Sequence, residues 1–139
     1  MRKNIVLLLT ILTVIIFPLQ VNAKDCGGNV TCECSDKVVE DYILDSNMFC
    51  ENDGLYISND VKLDCNHYAI RSLSKKNIGI DINVNRNILI KNCIIQDFEI
   101  GTRLNHKNIN GYNRISSNIS IINSIFENNA LNKTKNMKR

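Results

Sequence analysis

Asp97 and Glu99 stand on either side of Phe98, and Arg103 follows four residues after Glu99. Two carboxylates with a basic side chain are the inventory of lyase or hydrolase chemistry, where one group moves a proton while another steadies developing charge. At strand spacing Asp97 and Glu99 would both face outward. Asp64 and Asp81 extend the acidic set. The same residues also make solvated strand faces and turn caps, and their spacing alone favours that reading. Asp64 reads as a hydrogen-bonding residue at the end of a ladder rather than a catalyst. His67 and His106 are the only histidines, and neither has a partner in a recognisable motif. No G-x-S-x-G, H-E-x-x-H or P-loop occurs. Cys26, Cys32 and Cys34 with His67 would be a zinc set, but C-x5-C-x-C matches no common zinc spacing, so no metal is expected. Tyr42, Tyr56, Tyr68 and Tyr112 offer a sugar-stacking platform, or fill the edges of a thin core, the reading favoured here.

These side chains must be held by short strands. Val61-Lys-Leu63-Asp64-Cys65, Ile88-Leu-Ile90-Lys-Asn92-Cys93 and Ile119-Ser-Ile121-Ile-Asn123-Ser124 repeat one phrase, an apolar run ending in a small polar residue. Asp64 to Asn92 is 28 residues and Asn92 to Asn123 is 31. Repeats of this length mean stacked units that bury their apolar faces only against their neighbours. Apolar residues recur at spacing two (Leu55/Ile57, Val61/Leu63, Ile80/Ile82/Val84, Ile88/Ile90, Ile119/Ile121) and are β-branched, as strands prefer. Asn, Asp, Gly and Ser fill the gaps as turns. Twenty-two of the 139 residues are asparagine. One turn recurring on every coil explains that excess, because Asn tolerates the left-handed α region. Asp64, Asn92 and Asn123 would then form a structural ladder of side chains from coil to coil. Gly54, Gly79 and Gly101 give a second register mark, each opening a strand where positive φ is often required.

The chain opens with Arg2 and Lys3, an apolar run from Ile5 to Phe17 and Val21-Asn22-Ala23, the three parts of a secretory signal over residues 1–23. A membrane role arises only if that segment stays uncleaved. Cleavage leaves 116 residues, read as one domain: a cysteine-rich N-terminal cap at 24–50, repeats at 51–131 and a basic tail at 132–139. Without Arg2 and Lys3, 15 basic side chains face 14 acidic ones, and no basic stripe marks a nucleic-acid binder. Cys26, Cys32, Cys34, Cys50, Cys65 and Cys93 all follow the signal, an even count that points to disulfides in an oxidising compartment. Six cysteines allow 15 full pairings. Cys26, Cys32 and Cys34 would staple the cap. Cys65 and Cys93, one coil apart, would form a bridge or stay as buried thiols, and the residues alone leave both open. Asn29, Asn118 and Asn132 begin glycosylation sequons.

The stretches Cys50-Glu-Asn-Asp-Gly54-Leu-Tyr-Ile57, Leu63-Asp64-Cys65-Asn66-His67-Tyr68-Ala69-Ile70, Ile78-Gly79-Ile80 and Asn87-Ile-Leu-Ile-Lys-Asn92-Cys93-Ile-Ile-Gln-Asp-Phe98-Glu-Ile-Gly101 carry a resemblance. Together they are similar to the right-handed parallel β-helix repeat family, the pectate-lyase-like and NosD-type surface proteins. The resemblance covers roughly residues 26 to 131. It implies an all-β, right-handed parallel β-helix of about three coils behind a cysteine-rich cap. Where the family writes glycine this chain has His67, which alters that turn. Family enzymes that cut acidic polysaccharides gather carboxylates with Ca²⁺ or a basic residue on one outer groove. Such an enzyme should show three acidic or basic residues in one column on adjacent coils, and Asp97, Glu99 and Arg103 make only a loose group.

The expectation is an exported, secreted or surface-held β-helix module with a structural or a glycan- or protein-recognition role and no cofactor. The alternative is a short or truncated polysaccharide lyase or glycoside hydrolase, with Ca²⁺ in the lyase case. The partner would be a polysaccharide or a surface protein, and the open β edge of the last coil allows end-to-end self-association.

Overall fold

The structure is a computed structural model that describes residues 23–83, 86–105 and 118–130. Among them there are strands and turns and no helix. Strand β1 (Asp25–Cys26) is followed by a first coil of β2 (Lys37–Val38), β3 (Tyr42–Ile43) and β4 (Met48–Cys50). A second coil is β5 (Leu55–Ile57), β6 (Val61–Asp64) and β7 (Ala69–Ser72). A third is β8 (Ile78–Ile82), β9 (Ile88–Lys91) and β10 (Ile94–Gln96), and a fourth is β11 (Ile100–Leu104), β12 (Ile119–Ile122) and β13 (Ile125–Glu127). From the first coil onward each strand pairs in parallel with the strand three places on. The result is three stacked sheets, ordered β1-β2-β5-β8-β11, β3-β6-β9-β12 and β4-β7-β10-β13, in a β-helix-like solenoid.

Period-two side chains explain the core. Every strand of the first three coils turns at least one apolar residue inward, and like residues stack in files: Val38, Ile57 and Ile82 from the first sheet, Leu63 and Ile90 from the second, Ile70 and Ile95 from the third, all 3% exposed or less. Burying one such side chain contributes about 1.5–3 kcal/mol, against about 1–2 kcal/mol for fixing the backbone of the residue that carries it. In the fourth coil Ile121 and Phe126 remain 37% and 45% exposed, since no described residue stacks beyond them.

Four expectations change. The stacking reaches back to Lys37, inside the stretch read as cap, so four coils stand where about three were counted. Val38 is short and β-branched and meets Ile57 in register, which makes residues 37–50 a coil despite their weaker repeat pattern. Asp64 does not stand opposite Asn92. The register sets Asp64 against Lys91, and Ala69 against Ile94, so the turn at Cys65–Tyr68 is two residues longer than the turn above it. Asn66 and His67 absorb the excess in left-handed conformations, φ +48° and +68°. Asn92 and Asn123, by contrast, follow paired residues and share φ near +50°.

The glycines hold their places for a reason other than positive φ, which none of Gly54, Gly79 and Gly101 adopts. They stack where backbones touch. A Cβ on Gly54 would lie 2.0 Å from the Gly79 oxygen, and one on Gly79 would lie 2.6 Å from the Gly101 oxygen. Finally, Asp97 is not in an outward strand. It occupies a turn with φ +60°, 7% exposed, while Glu99 is exposed.

All six cysteines pair: Cys26 with Cys32, Cys34 with Cys50, and Cys65 with Cys93. Cys34 thus ties the entry segment to the end of the first coil rather than closing within the entry cluster. The Cys65–Cys93 bridge joins successive coils with Cα atoms 4.7 Å apart. Three disulfides in so small a domain are chemistry suited to an oxidising, extracytoplasmic setting.

Candidate functional site

The outer face of the first sheet carries one continuous file. Register pairs place Asp25, Lys37, Tyr56, Asp81 and Arg103 one above another on successive strands. Lys37, Tyr56 and Asp81 each stand between two buried residues, so the pleat that builds the core also aims this file away from it. The glycine marks locate its upper half: Tyr56, Asp81 and Arg103 each stand two residues past Gly54, Gly79 and Gly101.

Asp81 is 5% exposed although it lies on the outer face. Arg103 covers it with two donors, Nη2 to Oδ2 at 2.5 Å and Nε to Oδ1 at 3.3 Å. Asn105 Nδ2 donates to the same Oδ1 at 3.1 Å. A forked guanidinium–carboxylate pair of this kind is rigid and directional. Asp81 also pushes the Arg103 pKa above its already high value, chiefly through that hydrogen bond. Tyr56 Oη donates to Asp53 Oδ2 at 2.6 Å, while Asp53 Oδ1 accepts from the Ile78 amide at 2.9 Å. The hydrogen bond to Asp53, then burial and the charges of Asp53 and Asp81, push the Tyr56 pKa up to about 12. Tyr56 therefore stays a neutral phenol with a fixed ring. Beside the file lies a shallow depression of about 500 Å³, lined by Lys37, Tyr56, Ser58, Asn83 and Asp81 among others. Lys37 makes no ion pair among the described residues, so its ammonium is available at the rim.

Of the residues singled out by spacing, Asp97, Glu99 and Arg103 are not brought together, whereas Asp64 and Asn92 of the expected ladder are. Asp97 Oδ2 accepts from Arg71 Nε at 2.7 Å at the edge of the third sheet. Glu99 points to solvent one residue before β11, and Arg103 turns to Asp81. Asp64, on the second sheet, takes Lys91 Nζ at 2.6 Å and Asn92 Nδ2 at 2.9 Å. Asn123 follows Ile122, which stands opposite Lys91, and the bond at this point of the stack is backbone, from Asn92 N to Ile122 O at 3.2 Å. His67 is exposed on its turn. His106, Tyr112, Asn132, the signal segment and the basic tail lie outside the described residues. Tyr42 is in the core and Tyr68 packs against it, whereas Tyr56 faces outward. Among the described residues no group of histidine, cysteine, aspartate or glutamate could hold a metal ion.

Spacing also missed a second ladder. Asn87 Nδ2 donates to Asp60 Oδ1 at 3.1 Å, and Asn118 Nδ2 donates to Asn87 Oδ1 at 3.3 Å. The signal was present: each of the three immediately precedes one copy of the repeated apolar phrase. No protein-family model, no curated protein and no solved structure matches the chain.

Proposed function

We propose that this protein is an exported, right-handed parallel β-helix module that recognises a glycan on the outer face of its first sheet. The observation that carries the reading is the Lys37–Tyr56–Asp81–Arg103 file beside an open depression. A neutral tyrosine ring gives the apolar face of a pyranose a stacking surface. Arg103, held in place by buried Asp81 and itself 41% exposed, keeps guanidinium donors for vicinal hydroxyls, and Lys37 suits a uronate carboxylate at the rim. The right hand follows from the near-universal preference of parallel crossovers. Export draws support from three disulfides and from the signal pattern at residues 1–23. A surface protein and an end-to-end copy on the fourth coil remain partners of the same proposal.

A catalytic reading has one observation in its favour, since Tyr56, Asp81 and Arg103 do form a column on adjacent coils. Two facts weigh against it. Asp81 is held by Arg103 and Asn105, and the Tyr56 proton is too tightly held for a general base at neutral pH.

Calorimetric titration with neutral and uronate oligosaccharides tests the proposal. The expected result is binding that weakens at least tenfold in Tyr56→Ala and for uronates in Lys37→Ala. Absence of binding across the panel, or binding untouched by Tyr56→Ala, rejects it. Release of unsaturated or reducing ends that Asp81→Asn abolishes would place catalysis first.

A further inference from the structure

The chain holds two described sequons, Asn29-Val30-Thr31 and Asn118-Ile119-Ser120, and the fold treats them differently. Asn29 stands at the tip of a two-residue hairpin. Gly27 and Val30 exchange both backbone hydrogen bonds at 2.9 Å, and Gly28 takes φ +59° at the first central position, the II′ pattern. The hairpin is anchored from below. Gly28 N donates to Asp41 O at 2.9 Å, a Cβ on Gly27 would lie 2.4 Å from Glu40 O, and Cys26–Cys32 closes the loop. Asn29, Val30 and Thr31 are all exposed, and among the described residues no hydrogen bond holds the Asn29 side chain.

Asn118 is engaged at both ends. Its side chain donates to Asn87, its carbonyl accepts from Ile88 N at 2.8 Å, and Ser120 lies in β12 paired against Leu89. A transferase must bend the acceptor so that the hydroxyl at the third position approaches the asparagine amide. A turn allows this, whereas an extended strand in a sheet must first be peeled away.

We infer that Asn29 is an N-glycan acceptor of the exported protein and that Asn118 is not. The donor class is an oligosaccharide activated at C1 by a lipid pyrophosphate. The Asn29 Nδ2 atom forms a bond to C1 and the C1–oxygen bond to pyrophosphate breaks. The lipid pyrophosphate leaves with the electron pair, and one amide proton passes to a base of the transferase. The glycan would stand off the hairpin tip, clear of the core.

The test is production of the full chain, carrying Asn132→Gln, in a yeast secretory host, with disulfides checked and glycopeptides mapped by mass spectrometry. Sugar at Asn29 that is lost in Asn29→Gln and in Thr31→Ala, and kept in Asn118→Gln, is the expected result. Thr31→Ala removes the sequon while leaving the hairpin tip intact. A lumenal or secreted product bare at Asn29, or bearing sugar at Asn118, overturns the inference. Retention in the cytosol would count against export itself. The site is then read by offering the oxidised chain a nucleotide-activated hexose and a soluble Asn-x-Ser/Thr transferase. Modification at Asn29 there upholds the site, and a bare Asn29 rejects it.

Discussion

Lys91 Nζ lies 2.6 Å from Oδ2 of Asp64 on the neighbouring coil, and Asn92 Nδ2 reaches Oδ1 of the same carboxylate at 2.9 Å. The lysine bond first, with help from the amide of Asn92 and the backbone of Asn66, holds the Asp64 pKa at about 2 against an opposing cost of burial. The carboxylate thus binds its proton more weakly folded than unfolded. Its stabilisation is complete above about pH 4, fades as pH falls, and is gone below about pH 2. Asp64→Asn should cost about 2 kcal/mol at pH 7 and little at pH 2. Urea midpoints at both values measure this, and an equal loss at both would contradict it.

Tyr56 titrates in the opposite sense. Asp53 raises its pKa to about 12, so the contribution holds at neutral pH and is lost as pH rises from about 10 to 12. Absorbance titration of the native protein should show a late phenolate transition that disappears in Tyr56→Phe. Asp53→Asn should move that transition toward 10; a transition left at its native position would show that the bond is not its cause.

Gly79 has no room for a methyl group. Its Cβ would meet Ile95 Cγ2 at 2.5 Å and the Gly101 oxygen at 2.6 Å, one of them backbone. Gly79→Ala should therefore destabilise by about 2–4 kcal/mol, through overpacking rather than through φ. Denaturant unfolding of the oxidised protein gives the value, and a loss under 1 kcal/mol, well below that estimate, would mean the coils part easily.

His67 holds φ +68° on an exposed turn without glycine's freedom. His67→Gly should raise stability by about 1 kcal/mol, the left-handed cost less glycine's extra unfolded entropy. A shift of the guanidinium midpoint to higher concentration is the expected reading; a lower midpoint would assign the imidazole a stabilising contact.

Much of the fold was legible before any coordinates. Strand positions were readable because buried parallel strands need β-branched residues at period two, as in Ile78-Gly79-Ile80 and Ile88-Leu89-Ile90. Gly54, Gly79 and Gly101 were the right marks for a different physical cause, the close passage of backbone rather than a special φ. The candidate site was half legible. Counting two past each of those glycines yields Tyr56, Asp81 and Arg103, yet nothing in the chain announces that Lys37 continues the file.

Local chemistry therefore determined the parts: where strands begin, where asparagines turn the chain, which cysteines are available, and which sequons exist. The tertiary structure alone decided the meetings. Arg103 finds Asp81 rather than nearby Glu99, Asp97 finds Arg71, and Lys91 finds Asp64 across a coil. The physical reason is turn length. The two added residues at Asn66 and His67 set Ala69 against Ile94 and so bring Arg71 beside Asp97, while Asp64 meets Lys91 and Asp81 meets Arg103 through the registers of their own sheets; spacing along one strand cannot report the length of a turn on the next coil.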